Sequence, residues 1–147
     1  MEREDSSKTI VRSESVYQAE EGKASDVLVH VAKTWGSYTV LHEEAESLTI
    51  LVTLTTGNRM RYHAHAGRRE LWVVSSGSGR VVINETERYV KTGDVVELLP
   101  GQRHTIIAST DLSLIEIQLG DTNAADKKVY DLRQDFYDDG STGFSLG

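Results

Sequence analysis

Turn signals recur every few residues through the middle of this chain, and that spacing restricts its fold more than any other feature. Thr56-Gly57-Asn58, Ser76-Gly77-Ser78-Gly79, Thr92-Gly93-Asp94 and Pro100-Gly101 cut the sequence into runs too short for ordinary helices. The runs between them are β-like: 26–31, 37–41, 48–55, 59–65, 70–75, 80–83, 88–91, 95–99, 104–108 and 112–119. No stretch carries an amphipathic helical period. Roughly ten short strands in one small domain predict an all-β fold, an antiparallel sandwich or barrel of the jelly-roll kind. Asn84-Glu85-Thr86 matches a glycosylation pattern, but between two β-like runs it is more simply a hairpin turn.

The ends read differently. Residues 1–25 are rich in Ser, Glu and Lys without either period and are expected to form a mobile arm. Residues 138–147, DDGSTGFSLG, read as a flexible tail, which leaves 26–137 as a single domain. The arm lacks the apolar core of a secretory signal, and no run approaches the roughly 18 apolar residues of a spanning helix, so a cytoplasmic chain without membrane contact is expected. There is no cysteine, which excludes disulfides, thiolate metal sites and thiol nucleophiles. With a formal charge of −7 and no basic run, nucleic acid is not an expected partner. A few local arginines still suffice to make a positive pocket for a small anion.

The residues that promise chemistry cluster between Gly57 and Gly77. His63 and His65 lie two apart, Glu70 follows five residues later, and His104 comes just after the Leu99-Pro100-Gly101 turn. In an extended 59–65 segment Arg59, Arg61, His63 and His65 share one face, with Met60 and Tyr62 on the other. Glu70, Trp72 and Val74 share a face of the next run, and a hairpin between the two would gather His63, His65 and Glu70. Three imidazoles and a carboxylate suit a mixed nitrogen/oxygen metal site with open positions for water or substrate. Taken alone, however, a His-x-His pair is more often two ordinary hydrogen-bonded histidines.

The glycine spacing adds a resemblance. Gly57, five residues, His63-Ala64-His65, four residues, Glu70, six residues, Gly77 resembles the first cupin motif throughout. Gly93, five residues, Leu99-Pro100-Gly101, two residues, His104 is similar to the second, with Leu99 where proline is usual and Ala108 where asparagine is usual. Lys33-Thr34-Trp35-Gly36-Ser37-Tyr38 resembles the RPWGSY opening of the cupin domain of type II phosphomannose isomerases. Residues 68–77, RRELWVVSSG, are similar to that family's RAEHWVVVSG, and Leu114-Ile115-Glu116-Ile117-Gln118 to its LIEVQ. Leu71 stands where the family has histidine, and the gap from His65 to Glu70 is longer than the family's.

The resemblance implies a double-stranded β-helix (the cupin jelly-roll barrel) and one divalent metal ion per chain, with His63, His65, Glu70 and His104 as ligands. Zinc, manganese, iron, cobalt and nickel all remain open. It implies interconversion of mannose 6-phosphate and fructose 6-phosphate through a cis-enediol, the metal supporting the developing charge. Arg68 and Glu70 match the family's arginine and glutamate. Arg61, on the histidine face, and Arg68 are candidate contacts for an anionic substrate; their alternatives are a rim arginine paired with a carboxylate and a solvated loop charge. Glu116 and Gln118 share a face of an otherwise apolar run, so either they are buried beside the site or that face is solvated. If buried, Glu116 is the candidate proton-transfer residue and Gln118 a substrate contact.

Three functions are consistent with this reading: a metal-dependent isomerase acting on a sugar or sugar phosphate, a cupin dioxygenase using the same ligand set for iron, or a non-catalytic cupin that binds carbohydrate or regulates a polysaccharide pathway. A homodimer is expected, because single-domain cupins commonly pair through sheet edges.

Overall fold

In β3 (Ser47–Leu54) every second side chain is apolar and buried, Leu48, Ile50, Val52 and Leu54, while the residues between them stay partly exposed. That period-2 pattern leaves the strand one stable position, apolar face inward, with each of those side chains contributing about 1.5–3 kcal/mol on burial. The computed structural model describes residues 28–122 and 126–133, so the expected arm (1–25) and tail (138–147) lie outside the described residues.

Two antiparallel sheets face each other. The six-stranded sheet runs β1-β2-β3-β10-β5-β8, from β1 (His30–Lys33), β2 (Gly36–Glu44), β3, β5 (Arg68–Ser76), β8 (Val95–Leu98) and β10 (Leu112–Gly120). The five-stranded sheet runs β11-β4-β9-β6-β7, from β4 (His63–Ala64), β6 (Ser78–Ile83), β7 (Thr86–Lys91), β9 (His104–Ala108) and β11 (Lys128–Val129). No described residue is α-helical, and no helix among them is long and apolar enough to cross a membrane.

The inner faces supply one large core, with Trp35, Tyr38, Trp72, Val81, Ile106 and Leu114 among its members. On the outer face of the five-stranded sheet, Val82 and Ile107 are covered by Tyr62 and by Leu132 of the C-terminal segment. This second cluster explains why all five residues of β9 are buried. The hairpin read at 84–86 is present: Asn84 and Glu85 both take positive φ (47° and 69°) between paired Ile83 and Thr86. Such a two-residue turn matches the strand twist, and the Glu85 N–H donates to Tyr62 Oη at 2.9 Å. Gly77 is needed where it stands: its φ is +83°, and a Cβ there would collide with the Asp111 carbonyl oxygen.

The structure corrects two expectations. The run 59–65 is not one alternating strand. Only His63–Ala64 is strand, Arg59 makes an isolated bridge to Ile107, Arg59 is buried and Arg61 is exposed. Tyr62, drawn into the outer cluster and bonded to Glu85, breaks the alternation. Nor do the two runs form a hairpin. β4 belongs to the five-stranded sheet and β5 to the six-stranded one, so the chain crosses between sheets at Ala66-Gly67. A short strand, β11, was not expected and closes the edge beside β4.

Candidate metal centre and cavity

His63 and His104 are direct cross-strand partners in β4 and β9, their rings 4.4 Å apart between centroids. His65 follows two residues on, 4.9 Å from His63 and 6.3 Å from His104. The Gly101 N–H donates to the His65 carbonyl at 2.8 Å, fastening the turn before β9 onto this segment. Glu70 arrives from the opposite sheet, its carboxylate oxygens 3.7 Å from His104 Nε2 and 4.0 Å from His65 Nε2. All four side chains are buried.

Each imidazole is oriented from behind. His63 Nδ1 donates to the Arg61 carbonyl at 2.7 Å, and His104 Nδ1 to the Gln102 carbonyl at 2.9 Å. His65 Nδ1 donates to the Asp126 carboxylate at 3.1 Å. A carbonyl or carboxylate can only accept, so Nδ1 carries the hydrogen in all three rings and each Nε2 keeps a lone pair. Burial lowers the pKa of all three. For His65 the value falls to about 4, burial being joined by the Arg68 guanidinium. The rings are therefore neutral near pH 7, as ligation requires.

Glu70 is the ionised member. Burial alone would raise its pKa, but His104 and Arg68 reverse this and bring it to about 2. Because His104 is itself neutral near pH 7, Arg68 is the standing cation. Arg68 Nε donates to Glu70 Oε2 at 2.7 Å, and Trp72 Nε1 donates to Glu70 Oε1 at 3.1 Å. Arg68 is not a solvated loop charge: it is the first residue of β5, buried, with Nη2 also 2.8 Å from His65 Nε2.

These residues fit a divalent ion in donor chemistry. Three neutral Nε2 atoms and one carboxylate suit such an ion, and His104 Nε2 is buried with no hydrogen-bond partner. The donors are not drawn to coordination spacing, and among the described residues no three such groups close on one point.

The cavity beside this cluster is lined by His63, Arg68, Glu70, Trp72, Glu116 and Met60, with Lys33, Arg61 and Lys127 also reaching it. Its volume is about 40 Å³, enough for waters at about 10–15 Å³ each. Glu116 and Gln118 face inward and are buried. In register Glu116 lies beside Trp72 and Gln118 beside Glu70, and Gln118 Nε2 donates to Glu116 Oε2 at 2.8 Å. Burial, and then the charge of Glu70, push the Glu116 carboxyl up to about 8. Leu71 is turned away from this face, beside Ile117 and Glu97. A side chain at that position does not line the cavity.

Sequence reasoning missed Asp126. Besides holding His65 it accepts from the Ala66 and Gly67 N–H groups at 2.9 and 2.8 Å, fixing the crossing between sheets. It lies 61 residues from His65 in no recognisable motif. Lys33 and Lys127, which also reach the cavity, were missed as well.

Two facing antiparallel sheets with a histidine cluster between them have the cupin fold, a double-stranded β-helix. Residues 20–131 match the family described as Mannose-6-phosphate isomerase C-terminal, and the chain belongs to that family. It is 32% identical over 92 residues to the mannose-1-phosphate guanylyltransferase RfbM of Salmonella typhimurium, an alignment covering 61% of this chain and 19% of that protein. The chain thus spans about a fifth of the length of the curated relatives it matches. Among solved structures, the capsular polysaccharide assembling protein CapF from Staphylococcus aureus superposes with a TM-score of 0.65 at 22% identity, over 74% of this chain and 35% of that one. An RmlC-like cupin from Shewanella frigidimarina gives 0.58 at 18% identity, over 76% and 95%. At these identities the two structures speak for the fold alone.

Proposed function

We propose that the chain is a metal-dependent isomerase of a sugar or sugar phosphate, with His63, His65, Glu70 and His104 holding one divalent ion and Glu116 moving the proton. The observation that carries this reading is the pair of buried carboxyls in one cavity, Glu70 accepting from Arg68 and Trp72 and Glu116 accepting from the Gln118 amide. Enediol chemistry needs a group that gives and takes a proton close to neutral pH, and a carboxyl raised to about 8 is suited to that task. When bound, the ion would supply Lewis-acid polarisation of the substrate carbonyl. Gln118 orients Glu116 through its amide, and Arg61, Lys33 and Lys127 give an anionic substrate a basic approach. The small volume admits only the reacting end of a sugar, so the remainder would lie across the mouth.

Family membership supports the substrate class, as does the name of the Salmonella relative, concerned with mannose 1-phosphate. The outward position of Leu71 means that its difference from the family motif takes no group from the cavity. The proposal includes a cytoplasmic homodimer, which light scattering and cell fractionation would check.

The test is proton NMR of aldose and ketose phosphates incubated with the metal-loaded protein in heavy water. Solvent deuterium appearing at C1 or C2 is the expected result. A fully loaded protein that exchanges no sugar proton sinks the isomerase reading. Oxygen uptake by the iron-loaded protein would assign it to the dioxygenases, and ligand-induced thermal stabilisation without turnover to the carbohydrate-binding cupins.

A further inference from the structure

Arg68 reaches two of the four candidate ligands at once. Its Nη2 lies 2.8 Å from His65 Nε2, and its Nε and Nη2 both lie 2.7 Å from Glu70 Oε2. The two acceptors differ in what they can share. A carboxylate has two oxygens and several lone-pair directions, so Glu70 can accept from an arginine and still offer an oxygen elsewhere. A neutral imidazole with Nδ1 protonated has a single lone pair, on Nε2. The Asp126 carboxylate fixes that tautomer from the far side of the ring. One lone pair cannot serve a guanidinium hydrogen and a cation together.

We propose that Arg68 and a divalent cation are alternative occupants of the His65 Nε2 lone pair, so that Arg68 sets the affinity of the centre and is released toward the cavity when the cation takes His65. The inference rests on the metal reading above and names a determinant within it. Arg68 is buried, and its Nε and Nη2 bonds to Glu70 and His65 are what hold its charge there, while Nη1 is buried without a hydrogen-bond partner. A cation entering the centre must break the bond to His65 and bring a second positive charge beside a guanidinium already neutralised by Glu70. Both effects oppose loading. The released group need not cross the core, because Arg68 already lines the cavity with Glu116 and Arg61. Cation binding at one end of the arginine would therefore be coupled to the delivery of positive charge at the end where an anionic ligand enters.

The test is cobalt(II) binding to the full chain by chelator competition, comparing wild type, Arg68→Gln, Arg68→Lys and His104→Ala. Arg68→Gln should bind cobalt at least about tenfold more tightly than wild type, as expected on removing a charge-assisted competitor. Arg68→Lys, which keeps the charge but not the fork, should fall between them. Equal or weaker binding by Arg68→Gln, with His104→Ala abolishing binding, overturns the competition and leaves the metal reading intact. No cobalt bound by wild type or by Arg68→Gln overturns both. Should Arg68→Gln fail to fold, the same question is read in wild type from the side-chain nitrogen resonances of Arg68. These should lose exchange protection as zinc saturates the site, and protection retained at saturation overturns the proposal.

Discussion

Replacing Glu116 with glutamine tests how the cavity is charged. The substitution keeps the shape of the side chain and an oxygen to accept from Gln118 Nε2, now 2.8 Å away, but removes the ionisable group. The Glu116 pKa stands at about 8 against 4.5 for an ordinary glutamate. Below about 4.5 the carboxyl is protonated whether the chain is folded or not, and its titration costs the fold nothing. As pH rises from there the unfolded chain ionises freely and the folded one does not, so wild-type stability is lost progressively until the folded pKa is passed. At about 1.4 kcal/mol per unit, the handicap reaches roughly 3 kcal/mol at pH 7 and roughly 5 kcal/mol above pH 8. Glu116→Gln should therefore be nearly as stable as wild type at about pH 5 and more stable by these amounts at higher pH. The three histidines, whose lowered pKa values make the fold gain stability as pH rises through their range, titrate alike in both chains and cancel in the difference. Urea unfolding followed by tryptophan fluorescence, with a chelator present, measures it, since Trp35 and Trp72 are both buried. Against a typical total of about 5–15 kcal/mol the effect is large. Parallel stability curves for the two chains from about pH 5 to 9 would refute the assignment of Glu116 as a protonated acid.

Asp126→Ala should leave the fold standing but free the His65 ring, lowering metal affinity by about 10–100-fold in the same chelator competition; unchanged affinity would show that the carboxylate only braces the loop. Gly77→Ala should cost more than the roughly 1–2 kcal/mol of left-handed backbone alone, because the added Cβ meets the Asp111 carbonyl. A thermal midpoint equal to that of wild type would contradict the close approach of those two turns.

The strands were most legible where packing on one side decides the pattern. β9 runs over the residues expected, and β3, β5, β8 and β10 differ only at their ends, because apolar alternation and flanking turns act locally. The segment 59–62 was misread because Tyr62 packs under Leu132 and bonds to Glu85, contacts that local periodicity does not contain. The placement of β4 and β5 in separate sheets was illegible for a similar reason: motif spacing orders the candidate ligands along the chain but not the sheet each strand joins. Within the cavity, the inward phase of Glu116 and Gln118 followed from their alternation with Ile115 and Ile117 once the interior face was known. Arg68 was readable in principle, since Arg68, Glu70 and Trp72 lie at strand spacing and point the same way. Asp126 was not, because its hold on His65, Ala66 and Gly67 depends on where the chain returns after β10.

The crossing of the chain between sheets at Ala66-Gly67 has a mechanical consequence. His63 and His104 project from one sheet, Glu70, Glu116 and Gln118 from the other, and the main core lies between those same walls. Anything gripped by both sets of side chains acts as a rivet through the barrel, loaded whenever the sheets try to part. Occupancy of the cavity and the breathing of the whole sandwich are then a single degree of freedom. A ligand of this protein should slow amide exchange in β6 and β8 as much as in β10, although neither β6 nor β8 lines the cavity.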